Sequence, residues 1–358
     1  MKVAVLGSGN GGHAIAFEFA QAGHDVYMFD FPQFSKSINA IAAKGGIESE
    51  GELSGFQKIT YAGSDIETVI KGAEMVFVVG PAYSTAAFAE ACKPHIEKGQ
   101  MYIICPSSCA GSLVFKNALG LGVDDETIIV GETNTLPYAV RITGEAHITV
   151  YNRLKGGWFI AALPSKYNDL VFEKVGAVLE TVELGKNVMQ TSLQNANPII
   201  HPSVSLCNVA RIESPDDFLF YEEGVTEGVG RVIKALDDER IAIGKALGVT
   251  VIPDPELGIR QGYQAVNSYD IGYSQAPGFK GILAQTTLDY RYFNEDAGYG
   301  LVFLTSLGDQ IGVPTPNMKA ILRASSIVTG RNYEEERARD MAALGLEKYS
   351  LEELKVLL

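Results

Sequence analysis

One histidine in this chain stands in a setting that calls for an explanation. The stretch "QNANPIIHPSVS" (Gln194 to Ser205) places His201 in an apolar, amide-lined run with prolines at 198 and 202. Helical spacing extends from about 187 to 213, so both prolines fall inside the expected helix. An interior proline removes a backbone N–H and costs about 3 kcal/mol. Either packing offsets that cost, or the kink aims polar groups into a cleft. Imidazole is the side chain whose ordinary pKa suits proton exchange near neutral pH. Asn197 lies four residues before His201, on the same face of a continuous helix. It is a candidate to hydrogen-bond a substrate or the amide of a nicotinamide. Spacing alone does not separate a satisfied core histidine from a proton-transfer group. The other histidines, 13, 24, 95 and 147, read as structural or exposed.

A second chemical signal opens the chain. "GSGNGG" (Gly7 to Gly12) fits G-x-G-x-x-G, with Asn10 and Gly11 between the last two pattern glycines, Gly9 and Gly12. The pattern alone is weak, but here it follows a strand and opens a helix, the context it requires. Gly7 permits a tight turn, Gly9 lets backbone approach a pyrophosphate, and Gly12 allows close helix–strand packing. The phosphates would rest on the helix N-terminus, where free N–H groups and the dipole favour an anion. Asp30 ends the second strand, where an acid can accept from the ribose hydroxyls and repel a 2′-phosphate. No basic residue precedes Lys36 in the following "FPQFS", so NAD is expected rather than NADP. Pro81, after "VFVVG", stands where the chain turns beneath the cofactor ribose. The segment "GET" (Gly131 to Thr133) puts Glu132 at the carboxyl edge of a parallel strand, where ligands of open α/β sheets bind.

The elements that position these residues alternate along the first half. "KVAVLG", "HDVYMFD", "AEMVFVVGP", "QMYIICP" and "ETIIVGET" read as strands, separated by helical stretches such as "GGHAIAFEFAQAG" and "GSLVFKNALGLG". Near-continuous apolar strands between helices indicate a parallel sheet covered on both faces. "AHITVYN" and "GWFIAALP" are expected to add two further strands to this domain. Beyond Gly185 the texture becomes helical, at about 187–213, 218–248 and 316–329, with a loop-rich interval at 258–287. The expected fold is therefore α/β: a doubly wound, Rossmann-type sheet at 1–185 and an all-helical substrate domain at 186–358, with a cleft between them.

The bulk properties narrow the partners. A chain of 358 residues accommodates two cores. A net charge of −14 repels a phosphate backbone or an anionic membrane surface, which excludes nucleic acid as a main partner. The charge runs "DDER" and "EEERARD" read as solvated helix faces. Cysteines 92, 105, 109 and 207 form no CxxC pair and no zinc spacing, so no metal is expected; Cys105 and Cys109 read as plain buried or loop thiols. The chain enters a strand at once, without the charged and apolar regions of a signal peptide. No apolar run approaches the roughly 18 residues that span a bilayer. A cytoplasmic protein is expected, and a homodimer is a compatible assembly.

A further stretch, "LDYRYFNEDAGYGLVFLTSLG" (Leu288 to Gly308), holds Arg291 and, five residues on, Asp296. With it the chain resembles the opine dehydrogenases: octopine, nopaline and N-(carboxyalkyl)amino-acid dehydrogenases. The matching pieces are "VLGSGNGGHAIA", "VGETNTLPYAVR", "TSLQNANPIIHPSVSLCNVARIES", "FYEEGVTEGVG", "DDERIAIGKALG" and "RYFNEDAGYGLV", in the family's order over nearly the whole chain. The His-Pro helix and the R-Y-x-x-E-D segment are the specific ones; the glycine loop is shared with many dehydrogenases. The resemblance implies a His201–Asp296 acid/base dyad and a substrate carboxylate held by Arg291, and it places Glu132 near the nicotinamide. Glu295 competes with Asp296 for the dyad and otherwise reads as a surface acid. Physical chemistry agrees with these roles. A buried carboxylate fixes a histidine tautomer, and a guanidinium clamps a carboxylate bidentately.

The implied reaction is an NADH-dependent reductive condensation of an amino acid with an α-keto acid, pyruvate by resemblance. The main alternative is a 3-hydroxyacid, ketopantoate or polyol-phosphate dehydrogenase. Those enzymes usually carry a lysine in the long helix, and "VMQTSLQNANPIIHP" has none. A non-catalytic NAD-binding sensor is disfavoured by the intact His, Asp and Arg set.

Overall fold

The computed structural model describes residues 1–357. Its large sheet runs, edge to edge, through Glu183–Leu184, Phe159–Leu163, Ile129–Thr133, Met101–Ile104, Met75–Val78, Lys2–Leu6, Asp25–Phe29 and Tyr61–Gly63. Neighbours are parallel except where Phe159–Leu163 runs antiparallel to Ile129–Thr133. Met75–Val78 and Met101–Ile104 are buried at every position, because helices cover both faces. The expected doubly wound sheet is present, with "GWFIAALP" as its antiparallel member.

"AHITVYN" does not extend this sheet. His147–Arg153 instead pairs with Gly46–Gly51 and Tyr138–Gly144 in a separate sheet of four strands, completed by Gly55–Lys58. Buried and open positions alternate along it, as in a strand with one face on a core and one toward water. That buried face packs on the helix Asn10–Gln21, which the large sheet covers from the other side.

The expected continuous helix over 187–213 is corrected to three: Val188–Gln194, Asn197–Cys207 and Val209–Ile212. Asn195 is extended (ψ 111°) and stops the first of them. Its Oδ1 then accepts from Asn197 N–H at 3.1 Å and starts the second. Pro198 therefore stands in a first turn, where its missing N–H has no partner to lose. Only Pro202 is interior.

The helix expected from 218 begins at Glu227, capped by the Thr226 side chain. The interval 258–287 contains the end of Asp254–Gln261 and the short helix Ile271–Ser274. Both charge runs are corrected in part. Asp237 and Arg240 of "DDER" form a fully buried ion pair at 2.6 Å, and Arg339 of "EEERARD" is 1% exposed. Among the described residues no helix is long and apolar enough to cross a membrane.

Candidate active site

A cavity of about 910 Å³ lies along the carboxyl edge of the large sheet and reaches the helical half. Gly7, Gly9, Asn10, Gly11, Gly12, Asp30 and Pro81 line one end, and Asn197 and Arg291 line the other. Gly7 takes φ +106°, and a Cβ there would lie 2.1 Å from the Val79 carbonyl oxygen. A Cβ on Gly12 would lie 1.8 Å from the Gly7 oxygen. Gly9 differs: a Cβ there meets no protein atom, so its bare face is turned to open space. Gly9 also caps the helix Asn10–Gln21 with no side chain on the first-turn N–H groups, the arrangement that receives a phosphate. These residues fit a dinucleotide.

Asn10 is itself tied back, its Oδ1 accepting from Ile142 N–H at 2.8 Å. Asp30 accepts from Ser8 N–H at 2.7 Å, Ser8 Oγ–H at 2.6 Å and Phe31 N–H at 2.8 Å. A carboxylate has about four acceptor sites, which leaves room for a ribose hydroxyl. Glu132 is corrected: it does not line the cavity. It is wholly buried, and its oxygens accept from Ser112 N–H and Oγ–H, Thr191 Oγ–H and Ser192 Oγ–H. With its acceptor capacity filled, Glu132 ties the sheet to the first turns of the helical half and is not turned toward a nicotinamide.

His201 and Asp296 meet. His201 Nδ1 lies 2.7 Å from Asp296 Oδ2, the side chains 9% and 4% exposed. Asp296 opens a widened helical turn, Asp296–Leu301, in which Gly300 N–H donates to the Glu295 carbonyl five residues back at 3.2 Å. Such turns recur at functional sites. Gly300 has a second reason to be glycine, since a Cβ there would lie 2.3 Å from Pro198 Cγ. The proline that starts the His201 helix thus packs against the turn that carries Asp296. The pair sits one layer beneath the cavity wall, with Asn197 one helical turn before His201 and Glu295 beside Asp296 forming that wall.

Two aromatic residues complete this arrangement; both lie in the matching stretches "FYEEGVTEGVG" and R-Y-x-x-E-D, but the sequence assigned neither a role. Tyr221 Oη lies 3.1 Å from His201 Nε2, and the Tyr292 ring stacks on the imidazole at 4.0 Å between centroids. Tyr292 follows Arg291 directly, so the segment that supplies the guanidinium also covers the histidine.

Glu295 is neither the dyad partner nor a surface acid. It is buried, and its Oε1 accepts from Ala82 N–H at 2.9 Å and Ser108 Oγ–H at 3.0 Å. Its Oε2 lies 3.1 Å from Arg291 Nη2. Arg339 reinforces the same junction, donating to Ser107 O at 2.7 Å, Ser108 O at 2.6 Å, Cys109 O, and Ala82 O at 3.0 Å. Ser108, Cys109 and Ala110 are consecutive left-handed residues (φ 48°, 70°, 57°), a conformation that costs about 1 kcal/mol or more each outside glycine. Their converging carbonyls around a buried guanidinium offset that strain. Burial pushes the Cys105 and Cys109 thiols up to about 12, so neither is a nucleophile. Among the described residues no cluster of His, Cys, Asp and Glu is placed to hold a metal ion.

A dinucleotide cradle at one end of the cavity and a buried His–Asp pair behind its wall at the other define an NAD-dependent oxidoreductase. The comparisons with known proteins narrow that class. Residues 184–329 match the family "NAD/NADP octopine/nopaline dehydrogenase, alpha-helical domain", and residues 2–107 match "NAD-dependent glycerol-3-phosphate dehydrogenase N-terminus". The chain is 35% identical to an opine dehydrogenase of an Arthrobacter species over 96% of this chain and 94% of that one. It is 26% identical to the protein ocs of Agrobacterium tumefaciens over 97% and 96% of the two chains. The structure of octopine dehydrogenase in complex with NADH and agmatine superposes with a TM-score of 0.81 at 16% identity, covering 99% of this chain and 98% of that one. This chain belongs to the opine dehydrogenase family.

Proposed function

We propose that this enzyme condenses an L-amino acid with an α-keto acid, pyruvate first among candidates, and reduces the product to an N-(carboxyalkyl)amino acid. The observation that carries the reading is the convergence on one cavity of the glycine loop, Arg291 and the wall that covers the His201–Asp296 pair. Arg291 holds the keto-acid carboxylate. The amino group attacks the keto carbon, and loss of water gives an imine. The hydride that reduces the imine carbon is what NADH contributes when bound. His201 supplies a proton to the departing oxygen and accepts protons from the amine, while Asp296 holds the Nδ1 proton and stabilises the imidazolium. Asn197 hydrogen-bonds substrate or the nicotinamide amide. The loops after Pro81 and Ser108, held by Glu295 and Arg339, keep the two halves in register.

Asp30 supports NADH over NADPH, because it would repel a 2′-phosphate. We place the domain boundary at 185/186, between the strand ending at Leu184 and the helix starting at Val188. The four unpaired cysteines suit a reducing compartment such as the cytoplasm, and a homodimer is compatible with this reading. The test is a panel of amino acids, each mixed with pyruvate and NADH, with the loss of NADH absorbance recorded. Consumption that needs both co-substrates is expected, and no consumption with any pair would refute the proposal.

A further inference from the structure

The Tyr221 hydroxyl has no part in the reaction as described so far, yet it occupies the working nitrogen of His201. The His201 Nδ1–H donates to Asp296 Oδ2, so the neutral ring has one lone pair, at Nε2. Tyr221 Oη is 3.1 Å from that nitrogen. Burial pushes the Tyr221 hydroxyl well above its ordinary range, with Tyr292, Asp296, Asp254 and Tyr263 adding to the effect. It therefore keeps its proton and donates. The ring is not free to step aside. It stacks on Phe279 at 4.3 Å and on Tyr273 at 6.0 Å, while Phe220 meets it edge-on at 4.9 Å. A clamped phenol thus stands on the only lone pair through which His201 can act as a base.

Resting on the condensation proposed above, we propose that Tyr221 is a proton relay between His201 and the reacting nitrogen and oxygen of the substrate. When His201 acts as base, a substrate N–H gives its proton to the Tyr221 oxygen as the Tyr221 O–H gives its own to Nε2. One O–H bond forms as another breaks, so the phenol ends neutral and the charge rests on the imidazolium beside Asp296. When His201 acts as acid, the same two transfers run in reverse. The proton then reaches the hydroxyl of the carbinolamine, which leaves as water. The phenol oxygen has the donor and lone pairs for both directions, and no redox partner is involved.

Tyr221→Phe deletes the O–H and keeps the ring and its stack. With the amino-acid panel, pyruvate and NADH, the variant is expected to lose at least ~100-fold in kcat/KM, the scale of general acid–base catalysis. NADH affinity and melting temperature should stay at the wild-type values. A second variant carries a ring-fluorinated tyrosine at 221, with the same shape and a more acidic hydroxyl. A relay responds to that acidity with a changed kcat, whereas a group that only packs or orients leaves kcat in place. Wild-type turnover with an undiminished Tyr221→Phe overturns the relay alone. An impaired Tyr221→Phe beside an unresponsive fluorinated enzyme also overturns it, assigning the phenol to orientation. Absence of wild-type turnover overturns the relay together with the function on which it rests.

Discussion

His201 and Asp296 are separated by 95 positions in the chain and by 2.7 Å in space. One rides a helix started by Asn195 and Pro198, the other a widened turn whose Gly300 admits that proline. The contact between the two elements is what makes the pair. Because Asp296 accepts the Nδ1 proton and is itself buried, the histidine is fixed in orientation and tautomer before a substrate arrives. Its charged form has a counter-ion in place.

The first prediction concerns that pair. His201→Ala should lose at least ~100-fold in kcat/KM while binding NADH normally by fluorescence titration. Asp296→Asn should fall comparably. Steady-state kinetics of the double variant should match the worse single variant, since groups acting as a unit are not additive. Near wild-type turnover by His201→Ala would return the residue to a structural role.

Arg291 is half exposed, lines the cavity and lies 3.1 Å from Glu295 Oε2. Arg291→Ala should raise the KM for the keto acid roughly ten- to hundred-fold, the scale of a lost charge-assisted hydrogen bond. NADH affinity should be little changed. An unaltered KM across a series of keto acids would show the guanidinium to be a structural partner of Glu295.

Asp30 should make NADH the preferred cofactor, and Asp30→Ala should narrow its margin over NADPH. The competing expectation comes from Ser8, whose two hydrogen bonds to Asp30 the same substitution removes. Ser8→Ala serves as the control: it loosens the loop and leaves the charge. Equal affinity of the wild type for both cofactors would remove Asp30 from the specificity argument.

Asp254 gives a pH dependence of stability. Burial, then the nearby Asp237 charge, raise its carboxyl to about 7, so the folded protein binds this proton more tightly than the unfolded chain does. Stability linked to Asp254 is therefore present at acid pH and lost progressively as pH rises from about 4 toward 7. Asp254→Asn removes the ionisation. Urea unfolding should find it more stable than wild type at pH 8, with the advantage shrinking toward pH 5. An equal difference at both values would rule out the linkage.

Much of this protein was legible locally. The glycine loop could be read because a strand, three spaced glycines and a helix start impose their geometry over a dozen consecutive residues. Apolar strands alternating with helices dictated the parallel sheet for the same reason. His201, Asp296 and Arg291 could be named from sequence patterns because their spacings repeat a family's. Other features depended on partners distant in the chain. Glu132 read as a cofactor contact, but serines 112 and 192 and Thr191 take up its oxygens. Arg339 read as a solvated charge, but the left-handed loop at 108–110 draws it inside. The helix break at Asn195 turned on a side-chain cap that competes with helical hydrogen bonding, and periodicity is blind to it. Tyr221 and Glu295 lay inside the matching stretches "FYEEGVTEGVG" and R-Y-x-x-E-D, but no local pattern gave the partners they meet. A hydrogen bond's worth depends on burial and on which groups converge, and only the packing of the two domains decided both.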